Sequence, residues 1–190
     1  MKTAIAKLKS ASPYSQSQQH FTPKIDNGRE LADAYEKRTW REKGHYGKDG
    51  HVIIPPMCFK NAIAEVAKFL GMQIPGKGKS TFTKHFEAGI IISDPIVLPE
   101  TKDNVQSITL SQNSDGKRGS GSRVMRTFPI IPEWEGKLTI LILDEILTEE
   151  VVKEHLVRAG QFIGIGRWRP RNNGLNGRFS VESFEWKDGI

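Results

Sequence analysis

Apolar and polar residues alternate along residues 3–9, placing Ala4, Ala6 and Leu8 on one face, and a period of two predicts a half-buried first strand. Residues 10–27 hold Ser, Gln and Pro with little periodicity and read as a loop leading into a helix over 29–43. The glycine-containing run 44–50 ends that helix, 51–54 reads as a short strand, and Pro55 and Pro56 stop it. Over 57–70 the spacing of Ile63, Val66, Ala67 and Leu70 is helical, with Gly71 as the C-terminal cap.

After a turn at 76–79, residues 88–92 predict a buried strand, 95–103 an extended connection and 105–110 a further strand. A turn over 113–121 joins this to a strand over 124–131, so the two form a hairpin with a basic tip. Residues 137–143 form a strongly apolar strand. Thr148 then opens a helix that ends near Ala159 with Gly160 as terminator, and 178–186 closes the chain as an alternating strand. The order of elements predicts an α+β fold: an open antiparallel, ferredoxin-like and RNA-recognition-like sheet with helices on one face and basic loop insertions. A single domain over 1–190 is expected, with insertions near 10–28, 41–50 and 112–122.

Composition narrows the function classes. The chain has 190 residues, a net charge of +6 and a hydrophobic content of 37 %, enough for a buried core. A pI near 9.4 favours polyanionic partners, although the position of the charge decides more than its sum. The single cysteine, Cys58, cannot form an internal disulfide and sits in an apolar, helix-opening segment, which suits an inert packed thiol in a reducing cytoplasm. His20, His45, His51, His85 and His155 are scattered without metal-ligand or acid/base spacing. No metal and no cofactor are expected. No run approaches the length that spans a bilayer, and the N-terminus lacks the apolar stretch of an export signal.

Chemistry concentrates in residues 162–179, where Gly164, Gly166, Gly174 and Gly177 are interleaved with Arg167, Trp168, Arg169, Arg171 and Arg178. Glycines let a main chain turn sharply and approach a ligand, and guanidiniums fork onto phosphates. Trp168 is placed to stack on a base, with Phe82 and Tyr14 as further candidates, whereas Trp40, Trp134 and Trp186 read as structural or interfacial. The alternatives are a solvated basic loop with structural glycines and a Trp168 packed beneath it. Two further basic groups accompany the loop: Lys117, Arg118, Arg123 and Arg126 around the hairpin, and Lys77, Lys79 and Lys84 after the second helix.

One motif misleads. Residues 71–78 nearly match a phosphate loop and 138–145 resemble a magnesium-holding acidic strand ending in Asp144 and Glu145. However, Gly78 stands where a Ser or Thr must bind magnesium, Pro75 lies inside the loop, and the segment follows a helix, with a β-branched and aromatic sequence after it. The ATPase reading fails on those grounds, and the two acidic residues are expected to cap or precede the next helix.

Three segments resemble the RAMP superfamily, the RNA-binding proteins of CRISPR effector complexes and especially their backbone subunits. They are residues 5–17 with Ile5, Leu8 and Tyr14, residues 53–63 with Pro55, Pro56 and an apolar helix start, and the glycine/arginine loop 164–179. The resemblance implies a non-enzymatic binder of single-stranded DNA or RNA that works along a sheet and loop surface, with subunits often stacked into a filament. The chain is small for such a subunit, which suits a stand-alone bacteriophage or mobile-element member in the host cytoplasm that coats a strand as a homo-oligomer. Processing nucleases of the superfamily use a histidine near the first strand and helix, which makes His20 the candidate for a metal-independent endoribonuclease. A third expectation is a protein-interaction module that imitates a CRISPR subunit.

Overall fold

In the computed structural model, which describes residues 1–25, 28–114 and 121–189, the first strand lies at the centre of a four-stranded sheet. Strand β1 (Lys2–Ser10) pairs antiparallel with β8 (Glu135–Ile142) on one side and β9 (Phe179–Asp188) on the other, and β4 (Ile90–Ile91) extends the sheet beyond β8. The register sets Ala6 opposite Leu138 and Ala4 opposite Ile140. These residues are buried with Leu8 and Ile142, so the alternation read in the sequence marks the covered face.

Two helices cover that face. Helix α2 (Pro56–Leu70) starts with proline in its first turn, where a missing N–H costs nothing, and ends at Gly71 in a left-handed conformation. Its apolar stripe of Phe59, Ala62, Ile63, Val66 and Ala67 is buried. Helix α4 (Glu149–Arg158) is capped by Thr148, whose hydroxyl accepts the Val151 N–H, and buries Val152, His155 and Leu156. The path β1–α2–β4–β8–α4–β9 is a β-α-β-β-α-β unit, and its order β4-β8-β1-β9 is that of a ferredoxin-like sheet.

The remaining strands leave this sheet, where the sequence predicts one open sheet. Strands β2 (Tyr14–Ser15), β7 (Arg123–Ile131) and β6 (Gln106–Asn113) form a second sheet in the order β2-β7-β6, and β3 (His51–Ile54) pairs with β5 (Ile96–Thr101) in a third. The cause is burial. Only the last part of β7, with Phe128, Pro129 and Ile131, is buried, whereas β6 is exposed or half-exposed throughout and offers only Ile108 and Leu110 as apolar residues on its half-buried face. The extended connection expected over 95–103 contains β5. Helix α1 (Ala32–Thr39) is shorter than predicted and passes into a 3-10 turn at Trp40–Lys43.

Two local expectations are corrected. Residues 83–88 form a short helix, α3 (Thr83–Ala88), despite their β-branched and aromatic composition, because Phe82 and Phe86 four residues apart both enter the core. Gly160 does not end the last helix: the chain continues through a π turn at Ala159–Ile163 and leaves it at Gly164. A Cβ on Gly160 would lie 2.1 Å from the Phe179 carbonyl oxygen, so this glycine lets β9 approach the helix.

Trp40 and Trp134 are core residues, as read from the sequence, and Trp186 is half-buried beside Phe184. Tyr14 and Phe82 are buried too, which removes both as surfaces for base stacking. Cys58 packs against this core with its thiol pKa pushed up by burial. Among the described residues, no helix is long and apolar enough to cross a membrane.

Candidate nucleic-acid interface

The glycine/arginine loop is sewn to the segment after β1. The Arg167 N–H donates to the Ser15 carbonyl at 2.8 Å, the Gly177 N–H to Pro13 at 2.7 Å and the Ala11 N–H to Arg178 at 2.9 Å. The loop also closes on itself, with the Ile165 N–H donating to Gly177 and the Asn176 N–H to Trp168, each at 2.9 Å. Gly177 has φ 78° and a Cβ there would lie 1.8 Å from the Ile165 carbonyl oxygen. Its close approach is to its own chain. Around Gly164, Gly166 and Gly174, likewise, the space a side chain would need is filled by Pro170, Tyr14 and Trp168.

The arginines predicted to fork freely onto phosphates have partners within the protein. Arg169 Nη1 lies 3.0 Å from Glu65 Oε2 and Arg171 Nε lies 2.9 Å from Glu65 Oε1, so one carboxylate on α2 holds both. Arg178 Nε donates to the Gln161 carbonyl at 3.3 Å. Arg167 Nη2 donates to Gln112 Oε1 at 2.7 Å, and its guanidinium carbon lies over two rings, 3.4 Å from the Phe128 centroid and 3.9 Å from that of Trp168. Burial pulls the Arg167 pKa down to about 10, so the group remains a cation at neutral pH. Trp168 is half-buried and edge-on to Phe128 with ring centroids 5.6 Å apart, so one indole face is occupied by Arg167.

Phe128 connects the loop to the second sheet. Pairing Gln112 with Val124, Leu110 with Arg126 and Ile108 with Phe128 places Gln112, Arg126 and Phe128 on one face of the β6–β7 hairpin. Arg123 belongs to the opposite face, where its Nε donates to Ser111 Oγ at 3.2 Å. The structure therefore joins Arg126 to Arg167 and Trp168 and separates Arg123 from them. Lys117 and Arg118 lie outside the described residues.

Behind Arg126 stands Glu36 of α1, which accepts the Thr127 N–H at 2.6 Å and pairs with Lys43 Nζ and, at 3.3 Å, with Arg126 Nη1. Burial pushes the Glu36 pKa up, but its bonds to Lys43, Thr127 and Arg126 outweigh burial and hold the carboxyl below its ordinary value. Lys43 Nζ also donates to the Thr127 carbonyl at 2.8 Å and sits 4.3 Å from the Phe128 centroid. Burial depresses the Lys43 pKa, Glu36 opposes this, and the charges of Arg126 and Arg167 add to the depression. Lys43 and Arg126 thus share one carboxylate while Arg167 lies over Phe128 and Trp168, leaving an excess of positive charge beside the Trp168 ring.

Sequence reasoning missed Glu36, Lys43, Glu65, Gln112 and Phe128. For Phe128 the alternation of β7 carries a signal. Glu65 and Gln112 are ordinary polar residues whose partners lie far along the chain, and Glu36 and Lys43, though near each other in sequence, are buried against Thr127, which is equally distant. His20 meets Thr22 Oγ1 at 3.1 Å and stacks on Tyr35, which makes it a contact between the first loop and α1. Lys77, Lys79 and Lys84 are exposed, and among the described residues no hydrogen bond or ion pair joins them to the glycine/arginine loop. No group of three His, Cys, Asp or Glu among the described residues is placed to hold a metal ion.

Fold and site together define an α+β protein with a ferredoxin-like sheet, a long added hairpin and a basic loop packed against that hairpin's base. The fold is similar to that in the crystal structure of Cmr6 from Pyrococcus furiosus, with a TM-score of 0.50 and 11 % identity over 95 % of this chain and 99 % of that one. At this identity the likeness is one of fold. No family model and no curated protein sequence matches the chain.

Proposed function

We propose that the chain binds single-stranded nucleic acid, without chemistry of its own, across the junction of the β6–β7 hairpin and the glycine/arginine loop. The observation that carries this reading is the pairing of Lys43 and Arg126 with the single carboxylate Glu36, with Lys43 and Arg167 both held over the Phe128 ring, next to a half-buried Trp168. Excess cations fixed by packing give phosphate affinity without ordering cost on binding, and the indole face turned away from Arg167 offers a base a stacking surface. The likeness in fold to Cmr6, a RAMP protein, supports the same reading.

Copies of the chain line up along the strand in the cytoplasm of the host cell. The ends of two sheets support this, since β9 and β6 are both edge strands of eight residues or more.

The test is fluorescence anisotropy with labelled single-stranded RNA, single-stranded DNA and duplex DNA over a salt series, on the wild type and Arg126→Ala. Single strands are expected to bind in preference to duplex. Arg126→Ala is expected to reduce the salt slope by about 0.7, the value for one phosphate contact on a single strand. Equal, weak binding to all three nucleic acids, or an unchanged slope in a folded Arg126→Ala, would remove the junction as the binding surface.

A further inference from the structure

The excluded phosphate-loop motif has a structural sequel. Its flanking segment, which contains α3, meets the acidic segment after β8, where His85 Nδ1 lies 2.6 Å from Asp144 Oδ2 while Asp144 Oδ1 accepts the Ile146 N–H at 3.0 Å. Asp144 does not cap α4, which is the task of Thr148. It orients an imidazole. The His85 hydrogen bond holds the Asp144 carboxyl below the usual range, helped by the Ile146 N–H and the charges of His85 and Lys77.

His85 also lines a cleft of about 570 Å³ with Lys68, Ser80, Thr81, Thr83, Lys84 and Glu87. The local sequence builds it. Phe82 and Phe86 are drawn into the core against His155, which leaves Thr81, Thr83, Lys84 and His85 facing away from it. Thr81 Oγ1 donates to Thr83 Oγ1 at 3.2 Å, so the Thr83 hydroxyl keeps its own proton for a ligand. With Nδ1 committed to Asp144, Nε2 is the His85 nitrogen left to meet one.

We propose that this cleft binds a phosphate monoester, the terminal phosphate of a nucleic-acid strand. A monoester carries up to two charges and three acceptor oxygens. Lys68 and Lys84 supply the charge, and Ser80, Thr83 and His85 supply further donors. Glu87 is the carboxylate in the lining, and the two lysines outnumber it. Asp144 is not part of the lining and sits on the far side of the imidazole bond, where it fixes the ring without facing the ligand. The choice of a strand end rests on the proposed function; the phosphate site itself rests on the cleft.

The experiment uses the full chain. Histidine ring resonances are followed by NMR during titration with inorganic phosphate and with adenosine 5′-monophosphate, and the affinities of one oligonucleotide with a 5′-phosphate, a 3′-phosphate or hydroxyl ends are compared. His85 is expected to shift alone among the five histidines, a phosphorylated end to bind more tightly than hydroxyl ends, and Lys68→Ala with Lys84→Ala to cut that advantage about tenfold. These lysines are exposed, so the double variant keeps its fold. Equal affinities for all ends with an unmoved His85 would overturn the site and leave strand binding at the junction intact. A shift at His85 with either small phosphate, but no binding of any oligonucleotide, would sustain the cleft as a mononucleotide site and sink the nucleic-acid reading.

Discussion

The guanidinium carbon of Arg167 lies 3.4 Å from the centroid of the Phe128 ring, and Lys43 Nζ lies 4.3 Å from the same centroid. One buried ring on β7 therefore holds a cation from the glycine/arginine loop and another from the turn after α1. Arg167 Nη1 is buried with no hydrogen-bond partner among the described residues, so ring contacts replace part of its hydration.

A double-mutant cycle measures this coupling. Phe128→Ala is expected to cost about 3–5 kcal/mol, the range for emptying a buried aromatic site. Arg167→Ala should cost less, and the two together should fall short of additivity by about 0.5–2 kcal/mol because each removes the other's partner. Urea unfolding of the four proteins gives these values. Strict additivity would mean that the loop does not depend on Phe128.

Glu65 restrains two loop arginines with a carboxylate that is only partly buried. Glu65→Gln should lower stability by at most about 1 kcal/mol, since the ion pairs are solvent-screened. It should also free Arg169 and Arg171 for phosphate, raising single-strand affinity at low salt and steepening the salt slope by up to about 0.7 per arginine. Anisotropy across the salt series checks both effects. A loss of affinity would instead show that Glu65 holds the arginines in their binding positions.

Protonation of buried histidines sets the acid limit of stability above the carboxylate range. Burial lowers the His155 pKa, and its Nδ1 donates to the Val151 carbonyl at 2.7 Å while the ring packs on Phe82 and Phe86. His45 is lowered by burial as well. In the unfolded chain both take up a proton near pH 6.5, before the folded chain does. Their neutral forms therefore contribute stability that is complete above about pH 6.5 and is lost as pH falls towards the folded values. Glu36 and Asp144, also lowered, add a loss only below about pH 4.5. Urea midpoints at pH 7.5 and 5.5 should differ in the wild type, and the difference should shrink in His155→Leu. An equal difference in the variant would assign the effect elsewhere.

What was legible in the sequence follows the reach of each interaction. The alternation of Ala4, Ala6 and Leu8 and the helical spacing of Ile63, Val66 and Leu70 are set by one buried face, so β1 and α2 could be read locally. The division of strands among three sheets could not, because it depends on which strand finds a covered face. α3 was hidden for the same reason, with Phe82 and Phe86 overriding a sequence that favours extended backbone. The loop was found by composition, but its commitments were not. Glu65 lies over 100 positions before Arg169, and nothing in the local pattern of α2 marks it as the partner.

Trp168 has the clearest conflict between backbone and side chain. It adopts φ 55°, a left-handed conformation disfavoured for an aromatic residue, and is kept there by Phe128 on its edge and Arg167 on its face. Packing alone accounts for the first of its faces. If the second receives a base, Trp168→Ala should lower single-strand affinity by about 1–3 kcal/mol, whereas Trp168→Phe, which keeps a smaller aromatic face, should lose less. Incorporation of 5-fluorotryptophan gives four fluorine resonances, with Trp168→Phe identifying the one of interest. That resonance should move on addition of a single-stranded oligonucleotide while those of the buried Trp40 and Trp134 stay in place. A stationary Trp168 signal at saturating oligonucleotide would confine binding to the cations and leave the indole as the wedge that holds Arg167 against Phe128.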